Sequence, residues 1–442
     1  MTGGTTHPRG RRWPAFRAPL YLAALAVLFL PPMLVSHASA QFFGQNKVQY
    51  KNFKWKVLRT QHFDIHYYQG TEAAVNDAAL MAERSYQRLS RVLNHQIKVR
   101  VPLVLYASHT DFEQTNITPE LIGIGTGGVT EFLKRRVFLP FTGSYAELDH
   151  VLTHELVHAF QVDILFGDNQ GLIGNPFATS VPLWFMEGMA EYLSVGTTDP
   201  NTAMWLRDAS LEGYLIPITT LAYVGDIRVY RFGQSIWQYI AETYGIAKVG
   251  EILKRTRRLG SAERALEAST GLTVEVLSKK WTEAVRKAYL PQIVDHQSPT
   301  QIATKLTDAE RDYSNFNVAP SVSPSGLQFV YISDRSMYND VYLASALDGK
   351  VFKKLISGER TPSFETLRFF NTAIAWSPNE KQIAIPAKVG GEDALYIVDV
   401  PSGHVAKRYK FGLDAIYSPS WSPDGSKFAF VGLKNGRSIL YL

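Results

Sequence analysis

The run His154-Glu155-Leu156-Val157-His158 carries the residue types and spacing best suited to chemistry in this chain. On a helix, residues four apart project in one direction from consecutive turns, so both imidazoles can reach a single cation. Glu155, rotated by one position, approaches a water on that cation without occupying it. Zinc lowers the pKa of a bound water toward neutrality, and a carboxylate must still collect the proton as a carbonyl is attacked. The spacing therefore predicts metal-assisted hydrolysis, with His154 and His158 as ligands and Glu155 as general base. Cysteine is absent from the chain, so a zinc site here has to be built from His and carboxylate.

A third ligand is expected from a second helix opening at Pro182, a residue that helix starts tolerate. Glu187 and Glu191 stand four apart on that helix among Trp184, Phe185, Met186 and Met189. Two acids on one face of an apolar helix repel each other and resist burial, so they need a cation or donors nearby. Zinc would answer for Glu187. An imidazole N–H would answer for Glu191, fixing the tautomer of a ligand His. Gly188 and Ala190 are small enough to let the two helices approach.

Taken together, HExxH and Trp184-x-x-Glu187-Gly188-x-Ala190-Glu191-Tyr192 resemble the gluzincin superfamily, which includes thermolysin and the aminopeptidase N-like enzymes, and within it the peptidase MA-like bacterial members. The resemblance implies a zinc metallopeptidase with the metal on His154, His158 and Glu187, Glu155 as base and Glu191 supporting a ligand. One departure is the 28 residues between His158 and Glu187, longer than in the thermolysin or aminopeptidase patterns, with an inserted loop at 167–180. Aminopeptidase-like relatives stabilise the oxyanion with a Tyr in a Y-x-K-G element. Tyr230-Arg231-Phe232-Gly233 is similar, with Arg one position earlier than that Lys, which makes Tyr230 the expected donor; a core tyrosine is the competing reading, and Tyr223 and Arg231 are substitutes. Gly127-Gly128-Val129-Thr130-Glu131 matches the exopeptidase amine-binding motif poorly and reads as a turn entering an edge strand.

The elements that must position these residues follow from periodicity. Alternation predicts a strand at Phe63, Ile65 and Tyr67, so His62 and His66 are not expected to bind metal. Helix 72–93, strands 99–106 and 137–140, and helix 146–165 follow, giving an α+β zincin-like metallopeptidase domain over 41–290. Helical spacing runs on through Leu277, Trp281, Val285 and Tyr289, and 291–314 reads as a polar, irregular linker.

Beyond the linker the sequence repeats. Ser323-Pro324, Ser377-Pro378 and Ser422-Pro423 each open a turn ahead of a short apolar strand, and a second strand follows each, as at 341–344 and 395–398. Turn-strand-strand recurrence at about 45 to 54 residues is a propeller signature. The run from Trp421 resembles the TolB-like blade pattern, W-S-P-D-G. An all-β, partial propeller domain over 315–442 is expected, and with fewer than four blades the sequence reads as truncated. Asp424 and Trp376 are expected to serve the turn and the core rather than a ligand.

Composition limits the alternatives. Of the net charge of +6, four come from Arg9, Arg11, Arg12 and Arg17, leaving +2 and no reason to expect nucleic acid. Those arginines precede an apolar stretch from Leu20 to Leu30, a Pro31-Pro32 break and Ala38-Ser39-Ala40, the pattern of a cleaved signal peptide over 1–40. The apolar run is too short to span a bilayer, so export to the periplasm or cell envelope of a bacterium is expected, with no stable membrane span after processing. Two function classes remain. One is a peptidase acting on peptide or protein substrates; the other is a non-catalytic envelope assembly protein whose propeller docks a protein partner on a peptidase-like scaffold. The complete set of His, Glu and Tyr favours the first.

Overall fold

The computed structural model describes residues 47–118, 121–167, 181–361 and 363–442. The leader at 1–40 and most of the loop at 167–180 lie outside the described residues. Residues Lys47–Leu442 form one body. Its N-terminal region is built on a five-stranded sheet of β1 (Lys56–Arg59), β2 (Phe63–Tyr67), β3 (Val101–Tyr106), β4 (Val129–Glu131) and β5 (Arg136–Pro140), in the order β1-β2-β3-β5-β4. The three middle strands run parallel, with Phe63 opposite Val101 and Leu103 opposite Val137; β1 and β4 are antiparallel edges. Parallel neighbours need a crossover, which α1 (Glu72–Val92) supplies between β2 and β3. Short α2 (His109–Phe112) follows β3.

Two helices then carry the sequence motifs. α3 (Tyr145–Phe166) starts where Ser144 accepts a hydrogen bond from the Glu147 N–H and stops at Gly167, whose φ of +64° suits a helix exit. α4 (Leu183–Val195) begins after Pro182. α5 (Pro200–Glu212), α6 (Ile218–Leu221), α7 (Arg228–Tyr244), α8 (Ala247–Leu259), α9 (Ala262–Thr270) and α10 (Val274–Ile293) complete the layer, and their buried faces join Phe63, Leu103, Leu156 and Phe160 in one core. α4 crosses α7 at two glycines. A Cβ on Gly188 would lie 2.4 Å from the Gly233 carbonyl carbon, and one on Gly233 would lie 2.7 Å from the Trp184 oxygen. Gly188 therefore serves α7; the sequence-based expectation that it brings α4 onto α3 is corrected.

The expected linker is also more ordered than its composition suggests. α10 carries Pro291 and ends at Ile293, and α11 (Pro299–Ile302) and α12 (Ala309–Asp312) follow, each held by a local cap at Ser298 or Asp308. Pro291 lies in the last turn, two residues before Ile293.

The C-terminal region is all-β. β6 (Asn317–Val322), β7 (Gln328–Ser333), β8 (Asp340–Ser345) and β9 (Val351–Ile356) form an antiparallel meander. β10 (Thr366–Leu367), β11 (Ala375–Trp376), β12 (Gln382–Val389), β13 (Glu392–Asp399) and β14 (Val405–Lys410) make a second sheet; β15 (Ala415–Trp421), β16 (Phe428–Lys434) and β17 (Arg437–Tyr441) make a third. Each Ser-Pro turn closes alike: the N–H groups of Ser323, Ser377 and Ser422 donate to the carbonyls five residues on. Gly326 and Gly425 take the left-handed position in their turns, and Glu380 takes it in the second. The Glu380 carboxylate accepts from the Ser325 hydroxyl of the first Ser-Pro turn. Asp424 caps its own turn and Trp376 is buried with its indole on the Ser321 carbonyl, as expected for turn and core roles.

Candidate metal centre

α3 and α4 present their motif residues to each other. His154 Nε2, His158 Nε2 and Glu187 Oε2 lie 3.2 Å apart in every pairing. Proton accounting makes this meeting informative. His158 Nδ1 sits 2.8 Å from Gln161 Oε1, while the Gln161 amide donates to the Met186 carbonyl at 2.9 Å, so His158 carries its proton on Nδ1. His154 Nδ1 lies 3.3 Å from Glu191 Oε1, which assigns the same tautomer. Two imidazole lone pairs and a carboxylate oxygen then face one another, an arrangement that a cation would satisfy. The separations fit zinc: a tetrahedral ion with ligands at about 2.0 Å has edges of about 3.3 Å.

Electrostatics point the same way. Burial would push His154 down, yet Glu187, Glu191 and Glu155 outweigh it and raise it to about 10. His158 is raised as well, against burial, chiefly by Glu187. Burial would raise Glu187 and Glu191, but the paired histidines hold both far below the usual carboxylate range. The pocket thus favours positive charge among its ligand atoms.

Glu155 is buried, and its charge acts on both His154 and His158. Its Oε2 accepts from the Thr130 hydroxyl at 2.6 Å, placing edge strand β4 against α3. A Cβ on Gly128 would lie 2.8 Å from Glu155 Cγ, so only glycine lets this segment pass so close to the carboxylate. Tyr230, in the first turn of α7, stacks its ring on His154 with centroids 6.1 Å apart. Burial and then Glu187 push its phenol up, so it stays protonated at neutral pH.

The substitutes for Tyr230 are placed elsewhere. Arg231 donates to Glu191 Oε2 at 3.2 Å and Asp199 Oδ2 at 3.3 Å, which explains why Glu191 tolerates burial. Tyr223 is 92% exposed. His62 and His66 lie in and beside β2, where His62 pairs with Glu83, and neither belongs to a cluster able to hold a metal among the described residues. Sequence reasoning missed Gln161, His150, Asp199 and Thr130. Gln161 is three residues past His158, and His150, 3.4 Å from Glu191, is four before His154; both were readable from helical spacing. Thr130 and Asp199 reach the site through tertiary packing alone.

No helix among the described residues is long and apolar enough to cross a membrane. No family model matches the chain. Solved structures similar to part of it include TolB from Acinetobacter baumannii, at 23% identity over 28% of this chain and 29% of that one, with a TM-score of 0.24. A TolB from Agrobacterium tumefaciens matches at 19% identity over 29% and 41%, with a TM-score of 0.23. Hydrazine synthase of Kuenenia stuttgartiensis matches at 15% over 26% and 30%, with a TM-score of 0.21. The chain spans less than half the length of each of these structures.

Proposed function

We infer that this chain is an exported zinc-dependent metallopeptidase, with a zincin-like catalytic region over 41–290, a linker at 291–314 and TolB-like propeller blades over 315–442. The observation that carries the reading is the meeting of His154 Nε2, His158 Nε2 and Glu187 Oε2 at 3.2 Å, with both Nδ1 protons committed elsewhere. Zinc held by His154, His158 and Glu187 would supply Lewis acidity, lowering the pKa of water and polarising a peptide carbonyl.

The remaining work falls to the chain's own residues. Glu155, one position around α3 from His154, takes the proton of the attacking water and returns it to the leaving amine. The Thr130 hydroxyl on Oε2 fixes the carboxylate and leaves Oε1 for that proton. The Tyr230 phenol donates to the oxyanion as the carbonyl carbon becomes tetrahedral. Gln161 and Glu191 hold the two imidazoles in the tautomer that keeps each Nε2 unprotonated.

Export to the periplasm or envelope rests on the basic leader, its apolar core and the small residues at 38–40. The blade assignment rests on three antiparallel sheets and the recurring Ser-Pro turn. Glu155→Gln is the direct test of mechanism. The variant is expected to keep its metal and lose peptide hydrolysis; turnover at the wild-type rate would defeat the assignment.

A further inference from the structure

A cavity of about 480 Å³ opens between the N-terminal region and the C-terminal sheets. Its floor is the first part of α3, with Leu148 and Val151; one wall is the segment from Ile124 to Gly127 that leads into β4. The opposite wall belongs to the C-terminal sheets, through Phe370, Tyr417 and Val431. Three observations tie this space to the candidate metal centre. Val151 precedes Glu155 by one helical turn. A Cβ on Gly127 would lie 3.2 Å from Val151 Cγ2, and one on Gly128 would lie 2.9 Å from Val151 Cγ1 and 2.8 Å from Glu155 Cγ, so the wall segment packs directly on α3 beside Val151 and Glu155. Across the gap, the Phe370 ring edge lies 3.2 Å from where a Gly125 Cβ would stand, so the C-terminal region touches the same segment.

The lining also says what it would accept. Arg368 is the cation there, but its guanidinium is answered by Asp393, Glu113 and Thr110, leaving no free positive charge for an acidic ligand. Glu147, exposed on the α3 side, repels anions. Phe370 stays 51% exposed, an aromatic ring held at the mouth, and the Tyr417 hydroxyl finds no partner among the described residues. A cavity of this size suits a segment of roughly two to four residues rather than a folded surface.

We propose that the C-terminal sheets form one wall of the substrate cleft, where Phe370 and Tyr417 select an extended peptide bearing apolar side chains beside the scissile bond. This rests on the peptidase reading, and the experiment separates the two. Zinc-loaded full-length protein is assayed with fluorescein-labelled decapeptides carrying Phe or Leu against matched peptides carrying Asp. The apolar peptides are expected to be cleaved with at least tenfold higher kcat/KM. Phe370→Ala is expected to raise KM about tenfold with kcat within twofold of wild type, and Ser438→Trp, which narrows the cavity from β17, should do the same. Equal cleavage of both peptide sets, or unchanged KM in both variants, overturns the cleft while leaving the peptidase intact. If no peptide is hydrolysed, the peptidase reading fails and fluorescence anisotropy on the same peptides decides the cleft. Apolar-selective binding weakened about tenfold by Phe370→Ala sustains it, whereas absent or unaltered binding overturns it.

Discussion

Replacing Arg368 with Met removes the centre of a buried charge network that joins the C-terminal sheets to the N-terminal region. Arg368 is 4% exposed. Its guanidinium donates to Asp393 Oδ1 at 2.9 Å, Glu113 Oε1 at 2.9 Å and the Thr110 hydroxyl at 2.7 Å. Breaking one side of such a network costs about 3–5 kcal/mol, because a charge is left buried without its partner. Glu113 keeps Lys388 at 2.6 Å and His109 at 2.9 Å, and Asp393 keeps the Ile416 N–H at 3.1 Å, so the lower end, about 3 kcal/mol, is expected. In urea unfolding followed by circular dichroism and tryptophan fluorescence, this lowers the midpoint by roughly 1 M.

The same variant has a pH signature. Burial alone would raise Glu113, but Arg368, His109 and Lys388 together hold it far below the usual carboxylate range. A depressed folded-state pKa contributes stability above the ordinary value near 4.5, and that contribution is lost as pH falls toward the folded value. Without Arg368 the depression shrinks, so the gap between wild type and variant should be widest near pH 7 and close progressively below about pH 4.5. A gap under about 1 kcal/mol at pH 7, or one that stays constant down to pH 3, would refute the reasoning.

Three further outcomes follow from the site. Gly188→Ala forces a methyl to within 2.4 Å of the Gly233 backbone, so α4 and α7 must part, at a cost of about 1–3 kcal/mol or more in thermal unfolding and with weaker zinc binding because Glu187 moves. Thr130→Val strips the hydroxyl from Glu155 and should lower kcat about tenfold with zinc content unchanged, measured by peptide turnover beside metal analysis. Tyr230→Phe should cost about 10²–10³ in kcat with KM and metal content near wild type, if its phenol serves the oxyanion; an unchanged kcat would reduce Tyr230 to a packing residue under His154.

Much of the centre was legible because helices make chemistry local. Four-residue spacing placed His154 with His158 and Glu187 with Glu191, and the same rule would have found His150 and Gln161 had it been carried one turn further each way. What escaped was set by packing between distant segments. Nothing in the sequence around Thr130 shows that β4 lies against α3, nor does Gly233 announce that it meets Gly188, although each sits in a motif read for other reasons. Arg231 neighbours Tyr230 in sequence, but one step along a helix turns a side chain by about 100°, which carries it to Glu191 and Asp199. Strand positions in the C-terminal region were readable from alternation and Ser-Pro turns. The Arg368 network was not, since Arg368 and Thr110 lie 258 residues apart.

Metal stoichiometry tests the central claim most directly. Full-length protein equilibrated with zinc and desalted should carry one ion per chain by inductively coupled plasma mass spectrometry. His158→Ala and Glu187→Ala should each carry close to none, and His62→Ala should match wild type. A wild-type protein without zinc, or ligand variants that retain a full equivalent, would contradict the account.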